Sequence, residues 1–249
     1  MNFKISFNCK NCNYWNWNGF KIAWYVENES KGIPIILLHG FGANSKHWRK
    51  NINIFVDKGY AVYAIDLLGF GFSDQPGIKQ IGVLDNGIWC DQVTDFIKEI
   101  IRPINPNKVV IIGNSLGGLV ALTCAAFIPE EISGIIASPL PDPITIKMGK
   151  INFKSTFQAL KINIINLFVR ILPIRLILFV INRSGLIHTF LNFAYFKKDA
   201  IDKDLLEIVK NPSKRETAAR SLRAMCLGMA TRSEKLKSSF LLKIINKVK

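Results

Sequence analysis

The stretch VVIIGNSLGGLVAL, residues 109–122, decides how the rest of the chain is read. Four β-branched residues, Val109 to Ile112, favour an extended strand. Apolar residues from Leu116 onward recur at helical spacing until Pro129 stops them, which predicts a helix over residues 116–128. Between the two lies Gly113-Asn-Ser115-Leu-Gly117-Gly118. A serine at the tip of a sharp strand-to-helix turn has a strained backbone and an exposed hydroxyl. Its neighbours two positions away on either side come too close for side chains, and both are glycine here. Gly118 would let the helix pack close to the sheet. Gly-x-Ser-x-Gly alone is a short pattern, whereas the same pattern between a β-branched and a helical run is specific. The alternative is a glycine-rich structural turn. Ser115 is therefore the candidate nucleophile.

The pattern extends in both directions. Residues 20–29 alternate at period two, as a half-buried strand does. Residues 33–40, IPIILLHG, form a continuous apolar run that suits a central strand. Residues 45–59 have helical spacing up to Gly59, and residues 60–71 read as strand then loop. Residues 86–102 place Val93, Phe96, Ile97, Ile100 and Ile101 on one helix face, ended by Pro103. Residues 132–138 are another strand. Alternation of this kind predicts a mostly parallel sheet covered by helices. After Ser138 the sequence turns helical, apolar and basic. Ser213-Lys-Arg-Glu216 and Thr231-Arg-Ser-Glu234 read as capping boxes that open two helices, running to about residues 229 and 247. No strand is expected after residue 138.

His39-Gly40-Phe41-Gly42 follows the central strand. Gly40 and Gly42 open the loop, so the Phe41 N–H can point at a substrate. With the Leu116 N–H it would form an oxyanion hole. His39 is expected to hold that loop by hydrogen bonds, since a base must approach Ser115 from the opposite side. Gly40-Phe-Gly42 and Gly69-Phe-Gly71 fall short of a dinucleotide fingerprint, because Ser45 and Asp74 stand where its last glycine would be.

Composition narrows the options. With 249 residues, 49% of them hydrophobic, the chain can bury a large core. The net charge of +15 is uneven: residues 1–144 hold 12 basic and 12 acidic residues, and residues 145–249 hold 21 and 6. The simplest reading is a solvated basic surface; contact with anionic lipid is the alternative. No nucleic-acid motif accompanies the charge. Cys9 and Cys12 form a lone CxxC without a second pair, so no metal site or other cofactor is expected. Scattered cysteines without a secretory leader fit a reducing, cytoplasmic setting. Residues 162–182 are the most apolar, but Arg170, Pro173 and Arg175 interrupt them, which favours two short helices with one buried face over a membrane span.

The segments LLHGFGANSKHW, YAIDLLGFGFSD, VVIIGNSLGGLVAL and SPLPDP together resemble the α/β-hydrolase superfamily, in its order and spacing. The likeness is greatest to the cap-bearing branch of epoxide hydrolases, haloalkane dehalogenases and pheophytinase-like esterases. It implies a core over residues 1–138, a helical cap inserted after the sixth strand over 139–212, and helices returning to the core over 213–249. Dehalogenases and epoxide hydrolases carry Asp where Ser115 stands, so the resemblance points to a serine hydrolase of hydrophobic, ester-like small molecules. It also implies an acid after a seventh strand and a His after an eighth. Neither pattern is found before Lys249, so the last two strands and final helix are expected to be missing, because the gene is truncated, because the sequence is a fragment, or because a second chain supplies them. Of the three histidines, His39 and His47 precede Ser115, and only His188 follows it. Ser115–Asp142–His188 has the right order, but its His comes from the cap. Activity is expected to be weak or absent, and the rival reading is a pseudo-enzyme that binds a small molecule or a membrane surface.

Overall fold

The computed structural model describes residues 12–29, 32–140, 167–183 and 185–246. Its centre is a six-stranded sheet in the order β1-β2-β4-β3-β5-β6. The strands are β1 (Asn13–Trp17), β2 (Phe20–Glu27), β3 (Pro34–Leu38), β4 (Ala61–Ile65), β5 (Val109–Gly113) and β6 (Ile132–Ala137). β1, β2 and β4 pair antiparallel, and the remaining pairs are parallel. β3 lies centrally between β4 and β5, and every one of its residues is buried.

Period two sorts the side chains onto the two faces. Ile36, Leu38, Tyr63, Ile65 and Ile111 join one core, while Ile35, Leu37, Val62, Ala64 and Ile112 join the other. Helix α1 (Ile52–Asp57) covers the second core through Ile52, Phe55 and Val56. It stops at Lys58 and Gly59, whose φ of +84° suits glycine. A short helix, α2, spans Ile78–Ile81. Helices α3 (Asn86–Phe96) and α4 (Leu116–Phe127) cover the first core. Asp85 caps α3 by accepting from the Gly87 and Ile88 N–H groups, and a π turn over Ile97–Ile101 extends it.

β1 is a strand that the sequence reading passed over. The turn at Asn18 (φ +50°) and Gly19 (φ +81°) is the Asn-Gly pair that closes a two-residue hairpin. β1 sets Trp15 edge-on to Phe96 with Trp17 beside Trp15, and their indole N–H groups donate to Glu99 and Asp95 at 2.8 Å each.

No strand follows residue 138 among the described residues. β6 forms the sheet edge, with Ile136 exposed. The later helices are α5 (Ile174–Arg183), α6 (Leu186–Ala194), α7 (Lys203–Ser213), α8 (Ala218–Thr231) and α9 (Ser238–Ile245). Leu241 on α9 packs with Leu119, Leu122 and Ala126 of α4. α8 runs so close to the core that a Cβ on Gly228 would lie 2.1 Å from the Leu84 carbonyl oxygen.

Both expected capping boxes are absent. Ser213 ends α7, with its hydroxyl donating to the Lys210 carbonyl, and α8 opens only at Ala218. Thr231 ends α8, bonding back to the Leu227 carbonyl, and Glu234 opens a separate 3-10 turn. At both positions the hydroxyl bonds back along its own helix and is not spent on capping the next. Pro212, read as a boundary, lies inside α7. It cannot donate to the Ile208 carbonyl, and the Asn44 side-chain amide donates there in its place, at 3.2 Å.

Candidate active site

β5 delivers Ser115 to the tip of a sharp turn before α4. Its φ of +52° and ψ of −110° lie where only glycine is at ease, a strain of about 1–3 kcal/mol. The flanking glycines explain how the turn closes. A Cβ on Gly113 would lie 2.1 Å from the Gly117 carbonyl oxygen, and one on Gly117 would lie 2.3 Å from that of Leu38. Gly118 is also close, its would-be Cβ 3.2 Å from the Gly113 oxygen. The Asn114 N–H donates to the Leu38 carbonyl at 3.0 Å, which ties the turn to β3. The Ser115 side chain does not cap α4, so its hydroxyl is not committed to the helix end.

The loop after β3 passes beside this turn. A Cβ on Gly40 would lie 2.7 Å from Asn114 Oδ1 and 3.4 Å from Ser115 Cβ. Gly42 has a φ of +73°. Phe41 is 61% exposed, with its ring edge-on to Phe70. Neither the Phe41 nor the Leu116 N–H donates to another main-chain carbonyl among the described residues. Leu116 is the first residue of α4, where N–H groups are free and the helix dipole is positive.

His39 is fully buried. Its Nδ1 lies 2.8 Å from the Gly40 carbonyl and its Nε2 accepts from the Leu67 N–H at 3.1 Å. Both ring nitrogens are occupied, by one acceptor and one donor, which fixes the neutral tautomer. Burial lowers its pKa, against the opposing effects of Asp66 and the Gly40 carbonyl. These two bonds tie His39 to the loops that follow β3 and β4.

The other two histidines are also engaged elsewhere. His47 Nε2 meets the Tyr195 hydroxyl at 2.9 Å. Burial pushes its pKa down to about 4, with the charges of His39 and Arg49 adding to the effect. His188 is exposed on α6 and pairs with Asn192 at 2.8 Å. None of these bonds reaches Ser115. Asp142 lies outside the described residues, as does Cys9, so Ser115–Asp142–His188 is not assembled among them.

Asp66 is the structural acid that the sequence reading did not single out. It is fully buried, and its two oxygens accept from the Ser45 and Phe72 N–H groups at 2.7 Å each. A Cβ on Gly71 would collide with it at 2.1 Å. The signal was Asp66 at a strand end followed by Gly69-Phe-Gly71. Together these bonds fix the loops after β3 and β4 against each other.

Long-range bonds join the later helices to those loops. Arg49 donates twice to Asp202, at 2.6 and 2.8 Å, and Lys50 pairs with it at 2.9 Å. Burial alone would raise the Asp202 carboxyl, but hydrogen bonds from Arg49, Lys50 and the Leu205 N–H hold it well below the usual carboxylate range. Arg215 donates to the Gly71 and Ser73 carbonyls, and Thr217 donates to Gln75. A cleft of about 500 Å³ beside α8 is lined by Arg175, Arg220 and Arg223, not by Ser115. No group of three or more His, Cys, Asp or Glu that could hold a metal occurs among the described residues.

The family model for the alpha/beta hydrolase fold matches residues 33–161, more than half of the chain. The chain belongs to the α/β-hydrolase family. Among curated relatives, an AB hydrolase superfamily protein, YfhM of Bacillus subtilis, is 33% identical over 137 residues. That match covers 55% of this chain and 46% of the relative. Mouse epoxide hydrolase 4 is 36% identical over 120 residues, covering 48% of this chain and 32% of that protein. The matches thus span less than half the length of these curated relatives. Among solved structures, the epoxide hydrolase CorEH superposes with a TM-score of 0.63 at 19% identity, covering 92% of this chain and 76% of that one. The carbazole-degradation serine hydrolase CarC gives 0.59 at 22% identity, covering 86% and 67%. At those identities the likeness establishes the fold of this α/β hydrolase and nothing finer.

Proposed function

We propose that Ser115 is the nucleophile of a serine hydrolase acting on a hydrophobic, ester-like small molecule, with residues 139–212 serving as its cap. The reading rests on one observation. Ser115 is held at φ +52° on a turn that Gly113 and Gly117 alone permit. In the reaction Ser115 Oγ would add to a carbonyl carbon, and the Phe41 and Leu116 N–H groups would hold the resulting oxyanion. The hydroxyl proton must pass to a base and return to the leaving alcohol.

The epoxide hydrolase names among the relatives do not transfer to the chemistry at Ser115. A carboxylate that opens an epoxide leaves an ester, whose carbonyl water can attack. A serine alkoxide would leave an ether, with no such carbon. Serine therefore favours acyl transfer.

A second reading, a non-catalytic binding protein, is favoured by the histidine geometry. His39, His47 and His188 each bond away from Ser115. An unassisted serine loses about 10⁴–10⁶ in rate, keeping what the oxyanion donors and binding provide. A fluorophosphonate probe separates the readings. Attack by Ser115 Oγ forms an O–P bond and expels fluoride, with the proton lost to water. Slow labelling that disappears in Ser115→Ala supports the nucleophile. A folded chain whose labelling is identical in Ser115→Ala overturns it. A small ester-like molecule is the proposed partner, cytoplasm the proposed setting, and no cofactor is invoked.

A further inference from the structure

The helical residues 167–183 and 186–193 carry large apolar side chains on their outer as well as their inner faces. On α5 the inner face buries Ile174, while Leu176, Phe179 and Val180 are exposed at spacings of three and four. On α6 the inner face buries Ile187 and Leu191, while Leu186, Phe190 and Phe193 are exposed at spacings of four and three. Phe193 is 92% exposed and the adjoining Phe196 is 98% exposed. Large apolar side chains gathered on a solvent face mark a surface that meets a partner. These two helices are enclosed on one side only, among the described residues.

Within this segment the charge has one sign. Its described residues from 167 to 198 contain five Lys and Arg, at 170, 175, 183, 197 and 198, and no Asp or Glu. Arg183 lies 4.5 Å from the Phe179 ring centroid, so a cation sits over an exposed aromatic. Two copies meeting through this face would bring like charges together, which disfavours a dimer. No single helix among the described residues is long and apolar enough to cross a membrane. The ten residues of α5 rise about 15 Å, half of a bilayer's apolar core, and α6 departs from it by 82°. Short helices with exposed aromatics and basic fringes suit the plane of an anionic lipid surface.

We propose that the outer face of residues 167–196 docks this protein on an anionic lipid surface, with Phe179, Phe190 and Phe193 entering the headgroup boundary and Arg170, Arg175 and Arg183 among the cations meeting the headgroups. The proposal stands apart from the nucleophile reading, because it uses neither Ser115 nor the loop beside it.

The test is cosedimentation of the full chain with vesicles of phosphatidylcholine alone and of phosphatidylcholine mixed with phosphatidylglycerol. Binding is expected to prefer the anionic vesicles and to weaken as salt rises. Replacing Phe179, Phe190 and Phe193 together by Ser should weaken it by about tenfold or more while circular dichroism is unchanged. Ser115→Ala should bind as the parent does, so failure here and failure of the nucleophile reading are told apart. No binding to the anionic vesicles at low salt would overturn the proposal. So would equal binding by the folded triple variant, or a dimer that the triple substitution converts to monomer without changing vesicle binding. If the triple variant does not fold, the parent's anionic preference and salt dependence decide alone: indifference to both overturns the proposal.

Discussion

The sheet half of the molecule and the helices over 167–196 are both rich in apolar residues, yet they use them oppositely. In β3 and β4 every side chain is buried. Over 167–196 Leu167, Phe168, Ile171, Phe190, Phe193 and Phe196 are each more than half exposed. Composition is shared, but partners are not. Alternation on a sheet offers two faces, and helices and strands cover both. The later helices have one face against the core and the other without cover among the described residues. Hydrophobicity thus marks a residue as stabilising only once its partner is identified.

The contrast can be broken by substitution. Trp89 is fully buried, and its indole N–H donates to the Leu68 carbonyl at 2.9 Å. Trp89→Ala is expected to cost about 4 kcal/mol in urea unfolding. Phe193→Ser, equally drastic on paper, should stay within about 0.5 kcal/mol. A comparable loss at both positions would mean that Phe193 has a partner in solution. At the turn, Gly117→Ala places a methyl group 2.3 Å from the Leu38 oxygen, for an expected cost of about 3 kcal/mol. A neutral outcome there would show that the turn relaxes without penalty.

Acidification sharpens the comparison through a single histidine. His47 joins the loop after β3 to Tyr195 beyond α6. Its folded pKa of about 4 lies below the ordinary 6.5, so the unfolded chain takes up the proton first as pH falls. The stability that the neutral ring supports is complete above pH 6.5 and is lost on acidification toward pH 4. His39 shifts in the same direction. The fall due to His47 should be about 3 kcal/mol across that window, and His47→Gln should flatten the profile accordingly. An unchanged slope would place the acid sensitivity elsewhere.

Much of the sheet was legible because its signals are local. The runs before Gly40 and Gly113 announced β3 and β5, and the glycines beside Ser115 announced a turn that only they permit. The Asn18-Gly19 signal for the β1 hairpin was equally local and was passed over. The capping boxes failed for a different reason. A hydroxyl followed three residues later by Glu reads alike whether it starts a helix or ends one. At Ser213 and Thr231 the bond back to the preceding turn won. At the site, the two flanking glycines and the loop carrying Phe41 were readable. The engagements of His47 with Tyr195 and of Arg49 with Asp202 were not, since they span 148 and 153 residues and leave no periodic trace.

The bond from Asn44 to the Ile208 carbonyl has a consequence for the order of folding. Pro212 leaves that carbonyl without its helical donor, so α7 on its own carries an open seam near its end. The donor that closes it lies 164 residues earlier, in a loop pinned beside the buried carboxylate of Asp66. That bond is expected to form only after β3 and β4 are paired and their loops are set. Local helix formation is fast, while closure over such a span is slow. Assembly should run from the sheet outward, with α7 sealing late and unsealing early.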